Sequence, residues 1–196
     1  MAKLYFRYST MASGKSLDLL KTAYNYEERE KKVVLITSGM DDRFGKGFIS
    51  SRVGPPFKRE AETFSKTTDL YQLVKDKYND VNCVLVDESQ FLTKKQVWQL
   101  TDIVDEMHCD VIAYGLRSDF RGEPFVGSTY LMTLSDDIQE LKTVCTYGDR
   151  TTMNMRIQDG TPIFDGDKVM IGGNDSYIPV CREYYKKMRK KTNTFN

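Results

Sequence analysis

The stretch Ser9–Ser16 has the residue types and spacing of a loop that binds phosphate groups. It ends in Gly-Lys-Ser, follows a predicted strand and opens a predicted helix, where free backbone N–H groups and the helix dipole favour an anion. Lys15 can reach the transferred phosphate, and the Ser16 hydroxyl can ligate Mg²⁺. Ser9 occupies a position where the full pattern has glycine, so a chance turn at a helix N-terminus is the alternative. The candidate phosphate-binding residues are Ser9, Thr10, Met11, Ala12, Ser13, Gly14, Lys15 and Ser16.

A second candidate cluster lies where the apolar run Cys83–Val86 ends in two acids. Asp87 would hold Mg²⁺ directly or through water, because Mg²⁺ retains much of its hydration shell. Glu88 would lie beside the reacting phosphate and take a proton from water or from an acceptor hydroxyl. Ser89 and Gln90 follow directly and join the candidate ATP-binding residues. Considered alone, the two acids fit a solvated turn, but their combination with the Gly-Lys-Ser loop favours catalysis.

These two clusters predict binding of ATP and Mg²⁺ but leave the reaction open. Hydrolysis, phosphoryl transfer to a small molecule and motor work on nucleic acid all use the same pair. The 196 residues include 29 Lys and Arg against 28 Asp and Glu, a net charge of +1. This balance argues against a protein that coats nucleic acid, because such a protein needs excess positive charge. No stretch approaches 18 apolar residues, so we expect no transmembrane helix and no membrane partner.

The elements that must position these clusters alternate between strand and helix. Short apolar, β-branched runs indicate buried parallel strands, and apolar residues at helical spacing indicate helices between them. The strands are expected at 4–8, 33–36, 83–86 and 111–114, and the helices at 16–31, 67–78 and 93–107. This succession predicts an α/β fold with a parallel sheet and right-handed crossovers. Glycines and prolines between residues 41 and 56 predict a loop.

After about Thr143 the pattern changes to short β-like pieces and turn residues, followed by a basic helix from about Arg182. We therefore expect an ATP-binding α/β domain at 1–142 and a small second lobe at 143–196. Arg7 interrupts the N-terminal stretch before a signal-peptide core could develop. The chain's four cysteines are too few and too scattered for a disulfide scaffold, so reduced thiols and a cytoplasmic location are expected.

Three further stretches carry a resemblance to a known family: Asp87–Phe91, Tyr114–Phe125 and Ile171–Tyr177. Together with Met11 in the phosphate loop, they resemble type II thymidine kinases, most closely the phage and bacterial branch. The likeness runs in order from about Leu4 to about Tyr185 and therefore covers nearly the whole chain. It implies a RecA-like phosphate-loop core and a second lobe whose loop, the lasso, closes over the substrate.

The resemblance implies transfer of the γ-phosphate of ATP to the 5′-hydroxyl of thymidine, which gives dTMP for DNA synthesis. It makes Glu88 the catalytic base, Lys15 a phosphate ligand, and Ser16 with Asp87 the residues that hold Mg²⁺. The lasso would bind the thymine base largely through main-chain groups. The expected substrate-binding residues are Met11, Leu116, Phe120, Arg121, Phe125, Asn154, Met170, Ile171, Gly172, Gly173 and Tyr177.

The second lobe departs from the family, which normally holds a structural zinc with two residues from each of two short Cys motifs. Here Cys145 and Cys181 remain, whereas Tyr147 and Tyr184 stand where the second cysteine of each motif is expected. Two cysteines cannot complete the four-coordinate shell of structural zinc. We therefore expect no zinc, with the two tyrosines packing into its place.

Two other functions remain as alternatives to a nucleoside kinase. A nucleic-acid-dependent ATPase would need a basic surface, and the sequence offers one only in the tail at 186–191. A relative that binds nucleotides without catalysis would fit Ser9 and the missing cysteines, but the retained Lys15, Asp87 and Glu88 argue against it. The family also implies a homotetramer and feedback inhibition by dTTP.

Overall fold

The computed structural model describes residues 1–40, 45–51, 57–167 and 176–194. The strands before residue 141 in this part of the chain are β1 Leu4–Ser9, β2 Val33–Ser38, β3 Phe48–Ser51, β4 Phe57–Glu60, β5 Glu62–Phe64, β6 Cys83–Val86, β7 Asp110–Leu116 and β8 Asp137–Glu140. Six of them form one sheet in the order β5-β2-β6-β7-β1-β8, and every neighbouring pair is parallel. The expected α/β fold with a parallel sheet is confirmed.

Helices cover both faces of this sheet. They are α1 Lys15–Glu27, α2 Leu70–Lys77, α3 Lys94–Met107 and α4 Val126–Leu134. Alternate residues of β6 face opposite sides, since successive side chains of a strand point in opposite directions. Val84 lies in the core cluster that includes Leu100 of α3, whereas Leu85 lies in the cluster that includes Leu20 of α1. The sheet is therefore buried on both faces, as its continuous apolar strands require.

The topology brings three strand ends to one edge of the sheet. In the parallel register Ser9 pairs with Leu116, so β1 and β7 end side by side. Strand β6 pairs with β7 up to Val86 opposite Ala113. The phosphate loop, the acidic pair and the segment 117–125 all leave the sheet here. Ligands of open α/β sheets bind outside the carboxyl ends of the strands.

Several local expectations were wrong. Helix α1 ends at Glu27 and not at residue 31, because Glu30 adopts a left-handed backbone with φ of 58°. The expected loop at 41–56 contains strand β3, which pairs antiparallel with β4. Helix α4 and edge strand β8 were not expected; β8 is short and largely exposed, so it lacks the apolar run of a buried strand.

The residues after 143 form short antiparallel strands and a final helix. These elements are β9 Val144–Cys145, β10 Gly148–Arg150, β11 Met153–Gln158, β12 Thr161–Ile163, β13 Tyr177–Val180 and α5 Arg182–Thr194. Strand β11 lies between β12 and β13. Met155, Phe164, Val180 and Tyr185 form a separate small apolar cluster. The expected β-like pieces and C-terminal helix are confirmed, and the boundary at residue 143 stays a prediction.

A search of the described residues for membrane spans finds no helix with the length and apolar character to cross a bilayer.

Candidate active site

The phosphate loop connects β1 directly to α1. Gly14 adopts a left-handed backbone with φ of 81°, and α1 begins at the next residue, Lys15. A glycine adopts this conformation without the strain that a side chain would add. The Asp18 N–H already donates to the Gly14 carbonyl, which starts the helix. The loop therefore ends at a helix N-terminus, where backbone N–H groups favour an anion.

The side chains of the loop are held by the loop itself and by its neighbours. Lys15 Nζ donates to the Thr10 carbonyl at 2.5 Å and to Ser13 Oγ at 3.3 Å. Ser9 Oγ donates to the Leu141 carbonyl at the end of β8. Ser9 thus ties the end of β1 to the neighbouring edge of the sheet, a task that glycine could not perform.

Ser16 and Asp87 bring the two sequence clusters together. Ser16 Oγ donates to Asp87 Oδ2 at 2.9 Å, and the Glu88 N–H donates to Asp87 Oδ1 at 3.0 Å. Asp87 is buried, and burial together with the nearby charge of Glu88 raises the pKa of Asp87 to about 7. The hydrogen bond from Ser16 and the charge of Lys15 oppose this rise.

The chemistry of this donor pair fits Mg²⁺. A serine hydroxyl and a buried carboxylate are hard oxygen ligands of the kind that Mg²⁺ prefers, and a cation would also relieve the cost of burying the charge of Asp87. The two oxygens lie 2.9 Å apart, at the foot of the phosphate loop. Ser16 and Asp87 are therefore suited to hold the cation of a metal–nucleotide complex.

Glu88 follows at a bend in the chain. Its backbone is left-handed with φ of 52°, and a single 3₁₀ turn, Ser89–Phe91, begins at the next residue. The carboxylate Oε2 accepts a hydrogen bond from Gln90 Nε2 at 2.5 Å. The charge of Glu88 acts on the buried Asp87 carboxyl, so the two acids lie near each other at this strand end.

Ser89 and Gln90, which the sequence predicts to bind ATP, are both buried, and their part in ATP binding stays a prediction. Ser89 is fully buried in this conformation. Gln90 is 2% exposed, and its amide is engaged at both ends: Nε2 with Glu88, and Oε1 with the Leu116 N–H at 3.1 Å. The sequence shows that these residues follow the two acids, but it does not show whether their side chains face the protein interior or the nucleotide.

Aromatic side chains lie between the sheet edge and the second lobe. Phe120 and Tyr177 contact each other edge to face, with ring centroids 6.3 Å apart. Phe125 begins helix α4 and contacts Phe91 at 5.9 Å in the same way. Phe120 is buried although it lies in the loop between β7 and α4.

Arg156 was not among the expected site residues. Its guanidinium lies 5.0 Å from the Phe120 ring centroid and 5.9 Å from that of Tyr177. It also donates to the Asp167 carbonyl at 3.2 Å. The sequence signal was weak, since an arginine in a strand with alternating apolar residues is normally a solvent-facing residue.

Two other expected substrate-binding residues are engaged within the protein. Asn154 is buried; its Oδ1 accepts from the Met11 N–H at 2.8 Å, and its Nδ2 donates to the Ser118 carbonyl. Arg121 forms an ion pair with buried Asp119 at 3.0 Å. Asn154 therefore links the second lobe to the phosphate loop. Met170, Ile171, Gly172 and Gly173 lie outside the described residues.

The two remaining cysteines of the second lobe lie close together. Cys145 Sγ accepts hydrogen bonds from the Cys181 N–H at 3.0 Å and from the Tyr147 N–H at 3.4 Å. Tyr147 and Tyr184 stack with ring centroids 3.9 Å apart and an interplanar angle of 5°. The two tyrosines thus pack against each other, and their filling of a zinc position stays a prediction. Among the described residues no group of three or more His, Cys, Asp or Glu is arranged to hold a metal.

Comparison with known proteins identifies the family. A sequence model described as "Thymidine kinase" matches residues 2–185, which is nearly the whole chain. The chain belongs to the thymidine kinase family. A thymidine kinase from Listeria monocytogenes serotype 4b is 51% identical over 185 residues, and one from Lactiplantibacillus plantarum is 48% identical over 186. The match covers 93% and 94% of this chain, respectively, and 96% of each relative.

A third relative gives the same result. A thymidine kinase from Photobacterium profundum is 50% identical over 189 residues, which is 95% of this chain and 97% of that relative. Among solved structures, the Pif1 helicase from Candida albicans overlaps 71% of this chain and 36% of its own, with a TM-score of 0.41 and 14% identity. Membership of the thymidine kinase family rests on the sequence relatives, not on this overlap.

Proposed function

We propose that the chain transfers the γ-phosphate of ATP to the 5′-hydroxyl of thymidine and so produces dTMP. The match to thymidine kinases along nearly its full length, at about half identical residues, is the observation that carries this proposal. The arrangement at the sheet edge supports it, since a phosphate loop after β1 and a carboxylate after β6, at the same edge of the sheet, suit transfer to an alcohol.

Glu88 is the residue that accepts the proton of the 5′-hydroxyl as the oxygen attacks phosphorus. Glu88 directly follows Asp87 in the chain. The Asp87 carboxylate accepts a hydrogen bond from the Ser16 hydroxyl, so Glu88 lies next to the phosphate loop. Lys15 stabilises negative charge on the transferred group, exchanging its contacts with Thr10 and Ser13 for the phosphate. Positioning and charge stabilisation supply most of the rate in phosphoryl transfer.

Ser16 and Asp87 would hold Mg²⁺ in this reaction. The cation neutralises charge on the β- and γ-phosphates. Ser16 offers its hydroxyl, and Asp87 offers a carboxylate directly or through water. Their present hydrogen bond keeps both oxygens at the foot of the loop.

The nucleoside lies between the segment 117–125 and the second lobe in this proposal. Phe120 and Tyr177 contact each other at this junction, and the Arg156 guanidinium lies 5.0 and 5.9 Å from their ring centroids. Aromatic rings of this kind can cover the face of a flat base. Water must be excluded here because hydrolysis of ATP competes with transfer. Closure of the lasso, which includes residues 170–173, would provide that exclusion.

Turnover with a set of nucleosides tests the proposal. We expect phosphate transfer from ATP to thymidine only with Mg²⁺, and deoxyuridine and deoxycytidine establish the selectivity. Glu88→Gln should reduce turnover by roughly 10²–10⁴-fold, the usual contribution of a general base, while thymidine binding by calorimetry stays largely intact. Glu106→Gln, at an exposed site on α3, is the matched control and should match the wild type. Turnover near the wild-type rate in Glu88→Gln would exclude Glu88 as the base.

Four further properties complete the proposal: a homotetramer, feedback inhibition by dTTP, a cytoplasmic location and a second lobe without zinc. The stacked tyrosines at the two non-cysteine positions support the last of these. Elemental analysis should find far less than one zinc per chain, and a value near one would overturn it. Light scattering measures the assembly, and initial rates with added dTTP measure the inhibition.

A further inference from the structure

Gln90 occupies a buried position between two parts of the active site. It lies in the 3₁₀ turn Ser89–Phe91, two residues after Glu88, and is 2% exposed. Its Nε2 donates to Glu88 Oε2 at 2.5 Å, and its Oε1 accepts from the Leu116 N–H at 3.1 Å. One planar amide thus connects the carboxylate to the end of β7.

The turn that carries Gln90 is clamped between two glycines. A Cβ on Gly115 of β7 would lie 2.9 Å from Gln90 Oε1 and 2.5 Å from Ser89 Oγ. A Cβ on Gly127 of α4 would lie 2.5 Å from the Ser89 carbonyl oxygen. Any other residue at either site would push the turn away, so both glycines permit the close approach that fixes Gln90.

Leu116, whose N–H binds Gln90, is itself fixed by a second hydrogen bond. The Leu116 N–H is bound by Gln90, and the Leu116 carbonyl accepts from Ser128 Oγ at 2.5 Å at the start of α4. Leu116 is the last residue of β7. The amide of Gln90 is therefore fixed at a rigid point, and only its Nε2 end faces the acid.

We propose that Gln90 is a positioning residue that fixes the Glu88 carboxylate for proton acceptance from the 5′-hydroxyl. Its amide donates to Oε2, so the carboxylate is held in one orientation relative to the phosphate loop. Glu88 also has a left-handed backbone, and a hydrogen bond at its side chain compensates part of that cost. This inference rests on the proposed role of Glu88 as the base. A misplacement of about 1 Å can cost roughly 10²-fold in rate.

Gln90→Met tests the proposal because methionine has a similar length but neither donates nor accepts these hydrogen bonds. We expect kcat to fall about 10–100-fold, while KM for thymidine and for ATP changes less than about threefold. Gln99→Met is the matched control: Gln99 is also a buried glutamine whose Oε1 accepts from a backbone N–H, that of Leu70, and it belongs to α3. Its kcat should stay within about twofold of the wild type.

A cycle with Glu88→Ala separates positioning from general damage. If Gln90 acts through the carboxylate, Gln90→Met should change the residual rate of Glu88→Ala by less than about threefold. An equal loss in both backgrounds, or a wild-type kcat in Gln90→Met, would overturn the inference. If Glu88→Ala itself retains turnover, the proposed role of Glu88 fails instead, so the two failures are distinguishable.

A second pair of variants decides the matter if Gln90→Met does not fold. Ser89 Oγ has no hydrogen-bond partner among the described residues, so Ser89→Ala gives a reference protein in which one of the two short contacts at Gly115 is removed. Adding Gly115→Ala then presses chiefly on Gln90. We expect a lower kcat with an unchanged KM for thymidine, and an unchanged kcat would reject the inference.

Discussion

The proposed phosphate end and the proposed nucleoside end of the site are held in different ways. At the phosphate end, Ser16 in the first turn of α1 contacts Asp87, which directly follows β6. At the nucleoside end, Phe120 of the α/β part contacts Tyr177 and Arg156 of the second lobe. The Tyr185 hydroxyl also donates to the Phe120 carbonyl at 2.7 Å. The first end is a property of a single sheet, whereas the second exists only where two regions meet.

Because of this difference, we expect changes at the two ends to affect different kinetic quantities. Disturbing the phosphate end should affect the chemical step, since the groups there stabilise charge in the transition state. Disturbing the contact between regions should affect nucleoside binding, because the aromatic surface there is assembled from both sides. The Met11 N–H donates a hydrogen bond to Asn154 Oδ1, and this bond links the two ends directly.

Lys15→Ala should break the phosphate end with the largest effect. We expect kcat to fall roughly 10³-fold, because the developing phosphate charge loses its nearest cation. Thymidine affinity, measured by calorimetry, should change little.

Lys21→Ala is the matched control for Lys15. Lys21 belongs to the same helix, pairs with Asp18 and has a side chain that is 65% exposed. It should retain wild-type turnover. A large loss of thymidine affinity in Lys15→Ala would show that the two ends are not separate.

Arg156→Met should weaken the nucleoside end. Without the guanidinium that lies over the Phe120 and Tyr177 rings, we expect KM for thymidine to rise about 10-fold, with KM for ATP unchanged. Arg150→Met is the control, since Arg150 is an exposed arginine of the same lobe paired with Glu140. An equal rise in KM for ATP would contradict the comparison.

Asp87→Asn should change the pH dependence of the stability of the protein, and this effect should be smaller than the preceding ones. The folded pKa of Asp87 is about 7, above the value of about 3.9 of an unfolded aspartate. Between these values the folded protein holds a proton that the unfolded chain has lost, so wild-type stability falls as pH rises from about 4 to about 7. Asparagine does not titrate, and the variant should therefore gain in Tm relative to the wild type over this interval and keep that gain above pH 7.

Thermal unfolding from pH 4.5 to 8.5 measures this gain. We expect a few degrees, since 1 kcal/mol shifts the Tm of a chain of this size by about 2–4 °C. The variant should have lost activity, which would show that Asp87 lowers the stability of the protein alone for the sake of its ligand. Asp80→Asn, at an exposed site, should show no such dependence. A Tm difference that is constant with pH would reject the assigned pKa.

What the sequence could predict depends on whether a feature arises from a local pattern or from residues that are distant in the chain. The parallel strands and the Ser16–Asp87 pair follow from local patterns, because a Gly-Lys-Ser loop and an acid after an apolar run have defined places in a parallel sheet. The roles of Gln90 and Arg156 do not follow, since each depends on a partner far away in sequence: Leu116 for one and Phe120 for the other. Strand β8 was missed because an exposed edge strand has no apolar signature.

The order of strands in the sheet also has a consequence during synthesis. Strand β1 lies between β7 and β8, which are the last two strands of the sheet to leave the ribosome. About 100 residues separate Ser9 from Asp110, so at roughly 5–20 residues per second β1 waits on the order of 5–20 s for its first neighbour. Until about residue 110 has been synthesised, β1 therefore lacks both of its neighbouring strands. A translational pause before that point leaves its buried side chains, Leu4 and Phe6, for chaperones to shield.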